Sequence, residues 1–185
     1  MFALFDALLP MLSLGVAIAG AERTDAGSTT SQINEYESFA QSYVSLPWNG
    51  FYMRPGVRLG FGHQNADGPQ NPIRIFETTY KAGAEFALIF SGIVIPSVSL
   101  QGFILNRTLK LSRPDNVSNT ANLMNRTEWL NARAITLGLG IPIADGRVIV
   151  EPFYRFVHIY GDERQDHLVG LDLSVSLNFH APEPL

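Results

Sequence analysis

Strict alternation of apolar residues with small or polar ones is the feature of this sequence that most restricts its fold. In residues 168–179, six large apolar side chains alternate with five small or polar ones. Residues 50–62 alternate in the same way, with arginines and glycines opposite the apolar positions. Successive side chains of a β-strand point to opposite faces, so each segment forms a strand with one apolar face. From Tyr36 onward no helical stripe extends over three turns, and the sequence therefore predicts an all-β chain.

The same alternation predicts eight strands within a single domain that covers residues 1–185 and ends in a short tail, 180–185. In two of the strands the polar residues change parity, near Gly102 and near Ala134. A change of parity is typical of a β-bulge, so we expect one at each position. The predicted strands are 12–23, 36–46, 50–62, 75–90, 93–112, 129–143, 148–160 and 168–179.

The connections between these strands alternate in length. Three are tight and carry glycine, at 47–50, 91–92 and 144–146, where a hairpin turn needs positive φ. Four are longer and polar, at 24–35, 63–72, 113–127 and 161–167. In an antiparallel up-and-down sheet, strictly alternating lengths place all tight turns at one end and all long loops at the other.

The apolar N-terminal run 1–21 allows three interpretations: a signal peptide, a spanning helix or a strand. Residues 17–19 fit a signal-peptidase site, but the first basic residue is Arg23, whereas a signal peptide begins with a basic region. A helix would be interrupted by Asp6, Pro10 and two glycines. Alternation over 12–23 favours a strand, which also makes the strand count even and leaves no export signal in the run.

The composition indicates which face of these strands meets water. Charged residues make up only 16% of the chain, against about 25% in soluble domains. The polar faces consist mainly of Gly, Ala and Ser, as in the lumen of a narrow barrel, so the apolar faces would point to lipid. A sheet that spans a membrane must close on itself, because every backbone polar group needs a partner there. The net charge of −4 argues against a nucleic-acid partner, and the absence of cysteine excludes disulfides and thiolate sites.

With these properties the whole chain resembles the small eight-stranded outer-membrane barrels of the OmpA-transmembrane-domain and OmpX/Ail types. The closing strand, 170–179, looks like the C-terminal assembly signal of such proteins, alternating apolar residues that end in Phe179, although six more residues follow it. The resemblance implies an eight-stranded antiparallel transmembrane β-barrel in the bacterial outer membrane. Its surroundings would be outer-membrane lipid and lipopolysaccharide. Envelope or host-surface proteins would meet the long loops, and no cofactor is expected.

Charged residues on the polar faces are the candidates for a lumen site. The lumen of an eight-stranded barrel is just wide enough for side chains to fill it, and buried charges there need partners. We therefore expect an ion-pair network that closes the lumen, with a narrow channel as the alternative. The candidates are Arg54, Arg58, Lys81, Glu85, Glu151, Arg155 and Asp172.

Aromatic residues near the predicted strand ends would lie at the two membrane interfaces, where aromatic side chains concentrate. These candidates are Trp48, Phe51, Phe90, Trp129, Tyr160 and Phe179.

No catalytic or metal-ligating residue is assigned. Residues 154–158 resemble a segment of the lipid A 3-O-deacylase family, in which the catalytic His precedes a Ser by two positions, but Tyr160 stands where that Ser would follow His158. The four histidines lie in separate segments without the spacing of a metal site. We expect a structural, adhesive or surface-interaction role. The alternatives are a narrow channel, a lipid A-modifying enzyme, and a soluble lipocalin-like barrel with Leu171, Leu173 and Val175 inside.

Overall fold

A computed structural model describes residues 11–24, 30–67, 74–90, 92–112, 124–144, 147–161 and 164–177. The strands in this part of the chain are β1 (Met11–Thr24), β2 (Thr30–Tyr43), β3 (Leu46–Trp48), β4 (Phe51–Asp67), β5 (Arg74–Phe90), β6 (Ile95–Ser112), β7 (Met124–Ile143), β8 (Val148–Ile159) and β9 (Arg164–Ser176). These described residues contain no helix long and apolar enough to span a membrane.

β2 and β3 are two parts of one strand of the barrel wall. Both pair with β4 in a single register that runs from Gln32 opposite Asp67 to Trp48 opposite Phe51. Between the two parts, the Val44 amide donates to the Pro55 carbonyl at 3.1 Å. Asn49 and Gly50, both at positive φ, then form the two-residue turn into β4. The wall therefore has eight strands.

These strands form a closed antiparallel barrel. Each wall strand pairs with the next one along the chain, and β1 closes the ring by pairing with β9. At the tight-turn end the Leu177 amide donates to the Leu12 carbonyl at 2.9 Å, so the described segment begins and ends at the same end of the barrel. The all-β, eight-stranded antiparallel fold predicted from the sequence is confirmed, and residues 11–24 form a wall strand.

The barrel has a large stagger between its strands. Following paired residues once around the wall from Met11, the path returns to β1 at Arg23, twelve residues further along. For a fixed number of strands, a larger stagger means a stronger tilt and a wider barrel. The path runs through Met11, Tyr43, Gly56, Glu85, Gln101, Ala134, Val157, Asp166 and Arg23.

The predicted bulges near Gly102 and Ala134 were wrong. β6 and β7 pair in one unbroken register from Ile95 opposite Gly140 to Leu111 opposite Met124. Side chains of the same parity face the lumen along the whole of β6, from Ser97 to Arg107. The polar residues that suggested a change of parity, Asn106 and Thr108, lie on the outside above the apolar belt, while Phe103 and Leu105 fill the lumen.

The four long connections were also predicted to be longer than they are. Residues 30–35, 63–67, 124–127 and 164–167 belong to strands that continue the ladders of the wall. Beyond the lipid, the outer face of a strand no longer needs to be apolar, so the alternation disappears while the hydrogen bonding continues. The barrel wall therefore extends well past its apolar belt on the loop side.

Large apolar side chains cover the outside of the wall. Leu171, Leu173 and Val175 on β9 are 48%, 41% and 41% exposed, and Leu59 on β4 and Leu137 on β7 are more exposed still. The soluble lipocalin-like alternative required the three β9 side chains to lie inside, so this arrangement rules it out. A continuous apolar exterior around a closed sheet is stable only in lipid.

Candidate functional site in the barrel lumen

Small residues on the inner face of the wall make room for long charged ones. Gly60 lies beneath the Glu37 carboxylate, and Gly138 lies where the Glu151 and Ser97 side chains meet. A Cβ at either glycine would overlap these polar groups. The glycines that alternate along the polar faces therefore allow charged side chains to cross a narrow lumen.

The central cluster is built around one carboxylate, that of Glu37 on β2. Glu37 Oε2 lies 3.0 Å from Lys81 Nζ and 3.5 Å from an Arg155 guanidinium nitrogen, and Glu37 Oε1 lies 3.2 Å from Arg58. The four side chains come from different strands, β2, β4, β5 and β8. Glu37 is only 3% exposed, so a single buried acid is shared by three converging cations.

The outer cluster lies above it, towards the loop end. Arg164 donates to both Glu77 carboxylate oxygens, at 2.9 and 3.2 Å, and to Asp166 at 2.6 Å. Arg23 donates to Asp166 at 3.0 Å and lies 3.4 Å from Glu77. Gln64 accepts from both arginines, at 2.6 and 3.0 Å. All five side chains are buried, so the cluster forms a closed polar layer.

Glu35 joins the two clusters. It accepts a hydrogen bond from the Gln64 amide in the outer cluster and another, at 2.8 Å, from Lys81 in the central cluster. Hydrogen bonds and ion pairs therefore connect side chains from the loop-side rim to the middle of the barrel.

The inner cavity, of about 100 Å³, occupies the tight-turn half of the lumen. Its acids are held mainly by neutral partners: Glu85 accepts from Gln41 at 2.6 Å and from Gln101 at 3.0 Å, and Glu151 accepts from Ser97. Asp172 Oδ2 lies 3.8 Å from Arg58, and its buried Oδ1 has no hydrogen-bond partner within the described part of the chain. The lower lumen is thus polar and loosely filled.

All seven lumen candidates have side chains that face the lumen. They do not, however, form an ion-pair network among themselves. Lys81, Arg58 and Arg155 converge on Glu37, which was not a candidate. Arg54 donates to Ser45 at 3.2 Å and lies over the Tyr43 ring. Among the seven, the described residues show one direct ion pair, Arg58 with Asp172.

Sequence reasoning missed the residues that hold the clusters together. Glu35 lies just before the predicted strand with the weakest alternation, Glu37 lies within it, and Arg164 and Asp166 lie in a predicted loop. The signal that identifies them is the alternation of faces along a strand. Residues 35 and 37 are on the same face as 41 and 43, and residues 164 and 166 are on the same face as 172. Extending each polar face past the end of its apolar face would have found all four.

Comparison with known proteins depends on the structure. No family model and no curated protein sequence matches the chain. Among solved structures, Neisserial surface protein A is similar over 89% of this chain and 96% of its own, with a TM-score of 0.57 and 10% identity. Ail of Yersinia pestis, the attachment invasion locus protein, is similar over 91% and 99%, with a TM-score of 0.52 and 10% identity. The outer membrane enzyme PagL is similar over 88% and 98%, with a TM-score of 0.53 and 10% identity.

The chain has the fold of the small eight-stranded outer-membrane β-barrels. The closed wall and its apolar exterior place it in a membrane. As in such barrels generally, the shortest turn, 49–50, and the longest connection, 113–123, lie at opposite ends of the barrel.

Aromatic side chains lie near both edges of the outer-membrane barrel's apolar belt. Trp48, Phe51 and Phe90 lie at the tight-turn end, where the last two rings are 6.0 Å apart. Trp129 and Tyr160 are exposed near the loop side, and Phe179 lies outside the described residues. On the same side the structure adds aromatic residues that were not candidates: Tyr36, Phe61, Tyr80 and Tyr154.

The histidines of the barrel lie on its outer face. His158 meets the Tyr160 ring edge-on at 4.9 Å, His167 Nδ1 is 2.7 Å from the Tyr154 hydroxyl, and His63 stacks on Phe76. His180 lies outside the described residues. Within the described part of the chain, no group of three or more His, Asp or Glu side chains could hold a metal ion. These imidazoles pack among aromatic rings at the loop-side interface.

Proposed function

We propose that the protein is a closed, non-conducting outer-membrane barrel that acts through its loop-side surface, in a structural or surface-interaction role. The observation that carries this proposal is the stacking of two buried ion-pair clusters across the lumen. The outer cluster and the central cluster are joined through Glu35, so a permeating ion would have to separate both.

The energetics of buried charges support a closed lumen. Removing one partner from a buried ion pair costs about 3–5 kcal/mol, because the other charge remains in a poorly solvated site. An ion that entered the inner cavity would meet the central cluster directly above it, with Glu37 already shared among three cations. The polar lower lumen is therefore a water-accessible pocket that ends inside the barrel.

Conductance measurements test this closure. We expect the barrel, inserted into planar lipid bilayers in 1 M KCl, to show no stepwise current, whereas a porin added in the same way does. A defined step whose size scales with KCl concentration would show that the clusters open, and the narrow-channel alternative would then be correct.

The surface role is supported by the height of the wall. Strand residues such as 63–67 and 124–127 stand beyond the apolar belt and hold the connections above the lipid. A rigid scaffold that presents loops is a common arrangement for recognition. Among the similar structures, Ail was crystallised in complex with the heparin analogue sucrose octasulfate, so a protein of this fold binds a ligand. We propose that envelope or host-surface molecules, together with lipopolysaccharide around the wall, are the partners here.

We also propose that the barrel is not a lipid A-modifying enzyme, although the similar PagL is an outer membrane enzyme. His158, the residue that would act as a base, packs against Tyr160 on the outer face, and Tyr160 stands at the position that the catalytic Ser would need to occupy. A Ser–His pair needs a hydroxyl within hydrogen-bond reach of the imidazole.

Expression of the wild type and of the His158→Ala variant tests this point. Both are expected to leave the mass spectrum of lipid A unchanged relative to cells without the gene. Loss of one acyl chain with the wild type but not with the variant would overturn the non-enzymatic assignment.

A further inference from the structure

Three acids line the inner cavity, in the half of the lumen towards the tight turns. They are Glu85 on β5, Glu151 on β8 and Asp172 on β9. Among the described residues, the one cation in ion-pair contact with any of them is Arg58, which lies 3.8 Å from Asp172 Oδ2. That distance is too long for a hydrogen bond, and Arg58 already donates to Glu37. The acids of the cavity therefore carry more negative charge than their own ion pairs balance.

The other two cations that line the cavity are held by different partners. Arg54 donates to Ser45 at 3.2 Å. Arg155 donates to Thr136 at 3.2 Å and lies 3.5 Å from Glu37 in the central cluster. A positive charge brought by a ligand would therefore meet the acids of the cavity without displacing either guanidinium group from its partners.

Glu151 and Asp172 face each other across the β8–β9 ladder. They are directly opposite in register, and both side chains line the cavity. Side chains in such positions have Cβ atoms about 4.5–5.5 Å apart, and like charges there destabilise a sheet. Asp172 is only 9% exposed, and its Oδ1 has no hydrogen-bond partner in the described part of the chain. Because an unpaired buried carboxylate is costly, a positive charge between the two acids would stabilise both.

The groups around this pair are oxygen donors. No histidine is among the described residues that line the cavity, and the chain has no cysteine. Carboxylate, hydroxyl and water oxygens are the ligands that Ca²⁺ and Mg²⁺ prefer. The cavity, of about 100 Å³, also has room for several water molecules. The hydroxyl groups that line it belong to Ser13, Ser97, Ser99, Thr136, Ser174, Ser176 and Tyr43.

We propose that Glu151 and Asp172 together bind a hard divalent cation, Ca²⁺ or Mg²⁺, which enters the inner cavity from the tight-turn end. The structure supplies two facing carboxylates at this point and not three, so the cation keeps part of its water shell inside the cavity. The bound charge would link β8 to β9 below the central cluster. This site is separate from the loop-side surface and does not depend on the surface role proposed above.

Terbium luminescence tests the proposal. The full chain is refolded in zwitterionic detergent without lipid phosphate, freed of metal with EDTA and titrated with Tb³⁺, which replaces Ca²⁺ at oxygen sites and is excited through nearby tyrosines. Tyr43 lines the same cavity, so its ring can transfer energy to an ion held there. We expect saturable emission that Ca²⁺ displaces. Tyr43→Phe should remove most of the emission while Ca²⁺ affinity, measured by calorimetry, stays unchanged.

Charge-neutral variants provide the matched comparison. Glu151→Gln and Asp172→Asn keep the size of each side chain, and each is expected to weaken Ca²⁺ binding at least about tenfold, which corresponds to 1.4 kcal/mol. Glu85→Gln makes the same change in the same cavity, but Glu85 already accepts from Gln41 and Gln101, so we expect a smaller loss. The gel shift of a folded barrel is checked for each variant. If one of the first two fails to fold, the other decides the result.

Other outcomes would overturn the proposal. A wild-type barrel that shows no saturable binding at millimolar Ca²⁺ would do so. Binding that both Glu151→Gln and Asp172→Asn leave unchanged would place the ion elsewhere, and its loss in Glu163→Gln would assign it to the acidic connection before β9. A metal-free barrel stabilised by Asp172→Asn, without any effect of Ca²⁺ on the wild type, would show that the pair holds a proton instead. Conductance is measured separately, so a failure of the closed-lumen proposal would not be confused with these results.

Discussion

Replacing Glu37 by Gln is expected to lower the free energy of unfolding of the barrel by about 3–5 kcal/mol. This is the cost of removing one charge of a buried ion pair while its partner stays buried. Glu37 is the acid on which Lys81, Arg58 and Arg155 converge, and Gln has nearly the same shape without the charge. Arg155 would then have no ion-pair partner among the described residues, whereas Lys81 would keep Glu35 and Arg58 would keep Asp172. The loss should therefore come from uncompensated charge and not from a cavity.

Urea titration of the barrel in detergent micelles, followed by the mobility shift of the folded form on gels, measures this change. Glu22→Gln, which removes the same charge from an exposed position on the outer face, is the control and should change stability by no more than about 0.5 kcal/mol. Adding Arg155→Met to Glu37→Gln should recover part of the loss, because it removes the cation whose only ion pair among the described residues is with Glu37. A Glu37→Gln barrel as stable as the wild type would show that the central cluster does not hold the lumen together.

Replacing Leu173 by Arg is expected to destabilise the barrel by about 2–4 kcal/mol, the cost of a basic side chain on the lipid face near the bilayer midplane. Leu173 lies in the middle of the apolar face that β9 turns outwards, and it pairs with Val16 and Val150 on the neighbouring strands. Its side chain is exposed on the barrel, so an arginine would fit sterically and its charge would meet hydrocarbon.

Val169→Arg is the matched control, since it makes the same change on the same face of the same strand near the loop-side boundary. There the cost falls to about 0–1 kcal/mol. Refolding into lipid vesicles and urea titration measure both variants. Equal losses at 169 and 173 would contradict the position of the membrane, whereas a larger loss at 173 supports the assignment of β9's outer face to lipid.

The architecture could be predicted because the lipid imposes a strict rule on the sequence. Wherever a strand crosses the hydrocarbon, its outer face must be apolar, so residues such as 169–177 show an unbroken alternation. That rule applies to every wall strand, and it fixed the strand count, the closure and the inward direction of residues such as Arg58 and Asp172.

The outer half of the barrel could not be read in the same way because lipid does not constrain it. Above the belt, polar residues occur on both faces of a strand. The sequence pattern therefore predicts a loop at residues 164–167 and a bulge near Asn106, where the structure has continuous strands. The ion pairs could not be predicted from parity alone. Pairing across a lumen depends on the stagger between strands, which brings Arg155 of β8 to Glu37 of β2 although these strands are not neighbours in the wall.

The twelve-residue stagger also places the two ends of each strand on different sides of the barrel. At a tilt of about 45°, ten residues that cross the hydrocarbon move roughly 23 Å sideways around a wall whose circumference is roughly 54 Å. A strand that enters the membrane on one side of the barrel therefore leaves it almost on the opposite side. A conformational change at an external loop would therefore not reach the periplasmic rim directly below it along a single strand. The shortest physical path between these two points runs through the side chains in the lumen.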